Sequence, residues 1–243
     1  TYANDGRLIG VPFQKGYGPS FDRGAHGLAR IPRIESYRGF VFGTLNPAMP
    51  SLSEHLGDAA RMIDEFIDRA PGRQIALGSG SFRGVFAGNW KLVFDNAADG
   101  YHPAFSHRSI MDMTRIRNGS DAGGRHFATD PDDSPMLCRT YPNGHSLLYQ
   151  RPGMGNSLWE RVRPTPGSEH AVAGLVARLG EEAAGRALEG APGAGINLNI
   201  FPNLLLIGNQ VQVVEPLAHD RTQLTWCATT LVGAEPEVNR LRM

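Results

Sequence analysis

Residues 196–232, "INLNIFPNLLLIGNQVQVVEPLAHDRTQLTWCATTLV", decide the fold. The runs "INLNIF", "NLLLIG", "VQVVEPL" and "TQLTWCATTLV" are rich in β-branched and large apolar residues, and turn residues divide them at hairpin spacing. Together they predict an antiparallel meander. Upstream, residues 74–88 are strand-like, "SLLYQ" (146–150) reads as a short strand, and residues 168–189 read as a long amphipathic helix behind Ser168. An earlier helix opens at Ser51 with a capping box, because Glu54 sits where it returns a hydrogen bond to the cap. Leu52, Leu56, Ala59, Ile63, Phe66 and Ile67 follow at helical spacing until Pro71-Gly72 stops the run. "EPEVNRLRM" (235–243) begins a further helix. Strand, helix and then a meander of strands predict an α+β domain with an antiparallel sheet.

Residues 1–46 have a different texture, of short strands and turns. Asn4-Asp5-Gly6 is a turn signal inside a hairpin, "SYRGFVFGTL" (36–45) is a strand candidate, and "NPAMPS" (46–51) is a linker. A polar loop rich in Gly and Asp covers roughly residues 117–135.

Twenty-four basic residues balance twenty-four acidic ones. The basic residues are scattered arginines, apart from Lys15 and Lys91. This neutral chain gives no electrostatic reason to expect nucleic acid or an anionic membrane as partner. No stretch approaches the roughly 20 apolar residues of a membrane span. Cys138 and Cys227 are the only cysteines, which excludes a disulfide framework and makes a reducing, cytoplasmic setting the expectation. Neither has a histidine or second cysteine at metal-motif spacing, so both are expected to be core thiols. Trp90, Trp159 and Trp226 are expected to be core aromatics, Trp90 also as an anchor for the helix that follows it.

The chemistry concentrates in "DNAADGYHPAFSH" (95–107). From Asn89 to about Tyr101 the pattern is helical, with Trp90, Phe94, Ala97 and Ala98 as the packed face. An α-helix turns about 100° per residue, so Asp99 and His102 share a face but His107 does not. Pro103 is expected to end the helix near His102, which lets the chain turn and bring His107 back. Two neutral imidazoles suit Fe, Zn, Cu or Ni, and with one carboxylate they give the facial arrangement of non-haem iron oxygenases. Asp99 suits a partner that orients a ligating histidine better than it suits a ligand. A His-x-x-x-x-His pair is weak on spacing alone. His26, His55, His126, His145, His170 and His219 carry no motif and read as surface or structural histidines. No glutamate stands beside the pair as general base for a zinc hydrolase. Gly78-Ser79-Gly80 is a turn rather than a phosphate loop, and no nucleophile elbow appears.

"GNWKLVFDNAADGYHPAFSH" (88–107) resembles the iron-binding segment of the large (α) subunit of Rieske-type aromatic-ring-hydroxylating oxygenases. The shared pattern is Asn-Trp-Lys, an acidic residue followed by Asn, Asp-x-Tyr-His, and a second histidine five residues further on. "TYANDGRLIGVP" (1–12) resembles the segment just after the second pair of Rieske cluster ligands, and "SYRGFVFGTLNP" (36–47) the end of that domain. "IFPNLLLIGNQVQVVEPLAHDRTQLTW" (200–226) resembles the catalytic sheet.

The resemblance implies a helix-grip (Bet v1/START-like) catalytic domain over residues 47–243, a curved antiparallel sheet on a long helix, preceded by the tail of an all-β Rieske domain over 1–46. It implies that His102 and His107 ligate a mononuclear Fe(II). Asp99 becomes the link to the Rieske cluster of a neighbouring subunit, Asn96 sits near the iron, and Phe94, Ala97 and Ala98 border the substrate pocket. The Asn-x-x-Asp spacing of Asn96 and Asp99 resembles the branch acting on aromatic carboxylates.

The implied activity is hydroxylation or cis-dihydroxylation of an aromatic substrate with O2, using electrons from NAD(P)H delivered by a reductase, sometimes with a ferredoxin. A homotrimer, or an α3β3 assembly with a small β subunit, is implied. The [2Fe–2S] cluster needs Cys-x-His and Cys-x-x-His, which this chain lacks, so the cluster is expected elsewhere in the parent protein. The resemblance places the third ligand, an aspartate, after the helix that begins near Pro236 and so beyond Met243; Glu215 and Asp220 match no ligand position. These absences make the chain read as an internal piece of a longer α subunit, inactive alone. The competing expectation is a non-catalytic helix-grip module holding an apolar small molecule.

Overall fold

A computed structural model of the chain describes residues 1–78, 80–109, 112–113, 116, 136–150, 169–188 and 195–242. The expectations for the loop at 117–135, His126, Trp159 and Ser79 lie outside these residues.

The chain divides into two compact units, Thr1–His55 and Leu56–Met243. In the first, Tyr2 and Leu8 form an antiparallel bridge around the expected turn, with Gly6 at φ +85°. The single strand expected at 36–45 is instead the end of one strand, a turn and a second strand of a hairpin: β1 (Arg33–Tyr37) pairs with β2 (Phe40–Thr44). Arg38 and Gly39 make the two-residue turn with φ of +50° and +88°, as hairpins of right-handed twist require. Asn46 accepts the Ala48 N–H at 3.0 Å in the linker. The capping box forms in both directions: the Ser51 N–H donates to Glu54 at 2.9 Å and the Glu54 N–H to the Ser51 hydroxyl at 3.3 Å. It starts α1 (Leu52–Leu56).

The second unit is built on an open sheet of seven antiparallel strands in the order β4-β10-β9-β8-β7-β6-β5. The strands are β4 (Ser81–Phe86), β5 (Leu137–Thr140), β6 (Ser146–Tyr149), β7 (Ile196–Ile200), β8 (Leu204–Ile207), β9 (Gln210–Ala218) and β10 (Arg221–Ala228). The predicted meander is therefore β7 to β10, and the α+β class holds. A separate pair joins β3 (Ile75–Ala76) to β11 (Thr230–Leu231).

Paired residues point to one face, so register assigns each side chain to a side. Ile196, Leu198 and Ile200 share a face with Tyr149, Leu147, Leu206 and Leu204. The Tyr149 hydroxyl reaches Glu65 at 3.5 Å, placing α2 (Ala60–Asp68) on this side. α2 contributes Ile63, Phe66 and Ile67, all fully or nearly fully buried. Burying such a side chain is worth about 1.5–3 kcal/mol. The opposite face carries Asn197 and Asn199 with Leu148, Ser146, Ile207 and Leu205. Against it lies α3 (Lys91–Ala98).

Two expected long helices are broken, both at glycine. The run from Ser51 is interrupted at Gly57, φ +49°, between α1 and α2. The run at 168–189 splits at Gly180, φ +81°, into α5 (Glu169–Leu179) and α6 (Glu181–Leu188). A positive φ suits glycine and ends the helical ladder. α5 and α6 enclose Val172, Leu175, Ala184 and Leu188 around Val238 of α7 (Pro236–Leu241).

The cysteines and tryptophans depart from expectation. Cys138 is exposed, because β5 is the sheet's last strand and exposed along its length, and Cys227 is only half-buried on β10. Trp90 and Trp226 are also half-buried. Trp226 lies over Gly84 of the edge strand β4 and against Phe82, with ring centroids 5.2 Å apart. Trp90 packs edge-on against Phe94 at 5.7 Å and against Phe201 at 6.0 Å.

Candidate metal centre

α3 opens where the Asn89 carboxamide accepts the Lys91 N–H at 3.0 Å, and it ends at Ala98. The break expected after His102 lies before it. Asp99 leaves the helix with φ −87° and ψ 117°, and Pro103 stands in the first turn of a new short helix, α4 (His102–Ser106). Proline lacks only an N–H that a first helical turn leaves unpaired, so here it starts a helix rather than stopping one.

The Asp99 carboxylate organises the break. It accepts the Tyr101 N–H at 2.7 Å and the His102 N–H at 3.3 Å, and Oδ2 lies 3.2 Å from His102 Nδ1. The Tyr101 N–H above all, with the His102 N–H and ring, holds the Asp99 carboxyl below its ordinary pKa despite desolvation. A carboxylate on Nδ1 directs that nitrogen's proton toward it and leaves the lone pair on Nε2. His107 caps α4, its N–H donating to the Pro103 carbonyl at 3.0 Å. The His102 and His107 rings stand edge to face with centroids 5.3 Å apart. The geometry thus brings together all three residues singled out in the sequence, through an asparate-capped turn and a second helix.

Asn96, Asp99, His102 and His107 line one side of a cavity of about 300 Å³. Its other wall comes from the sheet, with Leu148, Gln150, Asn197 and Ile207. Phe94, Ala97 and Ala98 are not among its lining residues. Phe94 is half-buried against Trp90, Ala97 is buried, and the Ala98 carbonyl accepts from Cys138 Sγ at 3.5 Å. Glu215 receives the Gln223 carboxamide, and the exposed Asp220 lies 3.9 Å from His219; neither lines the cavity. His145 is buried and accepts the Phe201 N–H at 3.0 Å, as a structural histidine.

The donor set fits a single N-ligated ion. Two imidazoles line one cavity, and a proton held on His102 Nδ1 by Asp99 would leave Nε2 free for an ion. Among the described residues no third histidine, cysteine or carboxylate joins them in a ligand cluster. Asp99 is occupied with two backbone amides and a ring nitrogen, which is the work of a supporting group.

The sheet wall carries no mark in the sequence. Asn197 and Asn199 alternate with Ile196, Leu198 and Ile200 in "INLNI", a polar-apolar alternation that ordinarily marks a solvent face. Here Asn199 is fully buried. Its Nδ2 donates to the Phe94 carbonyl at 3.1 Å and to Ser146 at 2.8 Å, while Asn197 Nδ2 donates to the Ala97 carbonyl at 3.1 Å.

An open antiparallel sheet backed by a helix that ends at a carboxylate, with two imidazoles on the short helix after it, defines the class: an α+β domain with a candidate mononuclear, non-haem metal centre. The chain belongs to the family described as the ring hydroxylating alpha subunit (catalytic domain), whose model matches residues 60–240. It is similar to the toluate 1,2-dioxygenase subunit alpha of Pseudomonas putida, with 32% identity over 97% of this chain and 51% of that protein. It is also similar to the 2-halobenzoate 1,2-dioxygenase large subunit of Burkholderia cepacia, at 34% identity over 93% of this chain and 47% of that protein. The chain thus spans about half the length of the curated relatives it matches. A solved structure of naphthalene 1,2-dioxygenase from Rhodococcus sp. bound to indole superposes with a TM-score of 0.61 at 25% identity, covering 99% of this chain and 55% of that one. Among the described residues no helix is long and apolar enough to cross a membrane.

Proposed function

We propose that the protein carrying this chain is the terminal oxygenase α subunit of a cytoplasmic ring-hydroxylating system. It oxidises an aromatic compound, most often to a cis-dihydrodiol, with O2 and electrons drawn from NAD(P)H through a reductase and, in some systems, a ferredoxin. The observation that carries this reading is the His102–His107 pair, 5.3 Å apart over a cavity, with Asp99 on His102 Nδ1.

In this reading His102 and His107 hold a mononuclear Fe(II), which when bound supplies the O2 chemistry. The chain's own residues do the rest. Asp99 orients the His102 ring through Nδ1 and would be the residue linking this site to a Rieske cluster held by a neighbouring subunit. Residues 1–46 are the tail of the domain that carries such a cluster. This chain has no Cys-x-His or Cys-x-x-His to ligate it, so its ligands belong to the parent protein. A homotrimer, or trimeric pairing with a small β subunit, supplies the neighbour. Leu148 and Ile207 give the cavity an apolar wall suited to a ring, with Asn96 near the ion and Phe94, Ala97 and Ala98 behind it on the same helix.

Aromatic carboxylates are the proposed substrate class. The relatives with high coverage of this chain are named for toluate, 2-halobenzoate and anthranilate, and the Asn96-x-x-Asp99 spacing agrees with that branch. Substrate-dependent O2 consumption by the whole protein with a reductase tests this. Benzoate and its ring-substituted relatives are expected to support turnover that His102→Ala abolishes. Turnover of neutral arenes alone would overturn the substrate class, and turnover surviving in His102→Ala would overturn the site.

A further inference from the structure

We infer that Asn197 and Asn199 of β7 are positioning residues for the imidazole pair, pinning α3 to the sheet through its carbonyls; this rests on the metal reading of His102 and His107. The helix that leads into the site is weakly held by apolar contact: Ala97 is its only buried residue, against Ile63, Phe66 and Ile67 on α2. Hydrogen bonds take over. Asn197 holds the Ala97 carbonyl and Asn199 the Phe94 carbonyl, each at 3.1 Å.

Two pins, three residues apart on the helix and two apart on the strand, fix the helix in translation and in rotation about its axis. One pin would leave it free to swivel. Two residues beyond Ala97 stands Asp99, whose N–H is tied back to the Asp95 carbonyl at 3.0 Å and whose carboxylate sets the His102 ring. A connected path therefore runs from the sheet, through the last turn of α3 and Asp99, to the ring of His102.

The chemistry of β7 argues for orientation over plain stability. A buried carboxamide costs free energy unless its groups are paired, and an apolar residue of the same size would suit a central strand at least as well. Asn199 is fully buried and spends both amide hydrogens, on Phe94 and Ser146, while its Oδ1 is buried without a hydrogen-bond partner among the described residues, a cost that plain stability does not explain. Asn197, half-buried, lines the cavity opposite the imidazoles while holding their helix, so it couples the substrate wall to the metal side. Hydrogen bonds have the directionality to do this, which apolar packing on a single alanine lacks.

The test uses the whole protein as encoded, stripped of metal and titrated with Co(II), whose visible bands report ligand geometry. Asn197→Leu is expected to bind Co(II) about tenfold more weakly, the scale on which lost supporting partners act. Its bands should be altered, its Tm close to wild type, and hydrogen exchange at the Tyr101 and His102 amides faster. Asn197→Thr, which keeps a hydroxyl donor on the strand, should recover part of the affinity. Asn199→Leu should act in the same direction, and if it fails to fold, the half-buried Asn197 position decides alone. Unchanged affinity and bands in Asn197→Leu, with His102→Ala abolishing uptake, would overturn the pinning and leave the metal site standing. Wild-type protein that takes up no more Co(II) than His102→Ala would overturn both.

Discussion

The two faces of the central strand β7 hold their helices by different physics. On one face Ile196, Leu198 and Ile200 meet α2, whose Ile63, Phe66 and Ile67 are buried. That contact is dry, large and tolerant of small shifts, because apolar attraction has little direction. On the other face Asn197 and Asn199 meet the backbone of α3, which buries only Ala97. That contact is small, polar and directional. The fold's stability rests on the first face, and the placement of the candidate site on the second.

If so, substitutions on the two faces should separate stability from metal binding. Phe66→Ala should cause the largest loss of stability, about 3–5 kcal/mol by denaturant titration, through a cavity in the core. Folded Phe66→Ala protein should keep wild-type metal affinity. Asn199→Leu comes next, at about 1–3 kcal/mol, because the Phe94 carbonyl and the Ser146 hydroxyl lose a buried partner. Unlike Phe66→Ala it should weaken metal binding in the molecules that fold. Asp99→Ala should cost about 1 kcal/mol as a lost cap yet weaken Co(II) binding by roughly 10–100-fold. A metal affinity that tracked stability across these three variants would erase the distinction between the faces.

The smallest effect is expected at α1, which starts with a solvent-exposed cap. The Ser51 hydroxyl and then its N–H hold the Glu54 carboxyl below its ordinary pKa. A lowered folded pKa adds stability that is complete above the ordinary carboxylate value and is lost as the pH falls through the lowered one. Glu54→Gln should therefore shift the urea midpoint slightly at neutral pH and not at strongly acidic pH. A difference from wild type that persisted in acid would show that the carboxylate charge is not what the cap uses.

The same contrast explains what the sequence disclosed. Burial by periodicity is legible: Leu56, Ala59, Ile63, Phe66 and Ile67 recur at helical spacing and are all buried, and the runs at 196–232 became strands where expected. The capping box at Ser51 is legible because its two partners are close in sequence. The breaks at Gly57 and Gly180 are not legible, since a glycine inside a helical pattern gives no sign of its φ. Helical spacing places Asp99 and Pro103 on the wrong sides of a helix break. An aspartate three residues before a histidine fits one helical face as well as it fits a cap, and proline both ends helices and begins them. The right residues still met, because Asp99 bonds His102 in either geometry. The pins at Asn197 and Asn199 were illegible, because their partners are carbonyls about a hundred residues earlier, at Ala97 and Phe94.

The most direct measurement is anaerobic Fe(II) uptake by the whole protein, compared with His102→Ala and His107→Ala. One tightly held Fe(II) per chain in wild type, lost in both variants with folding intact, is the predicted result. Uptake that survives in both variants, or is absent from wild type, would contradict a metal centre at this histidine pair.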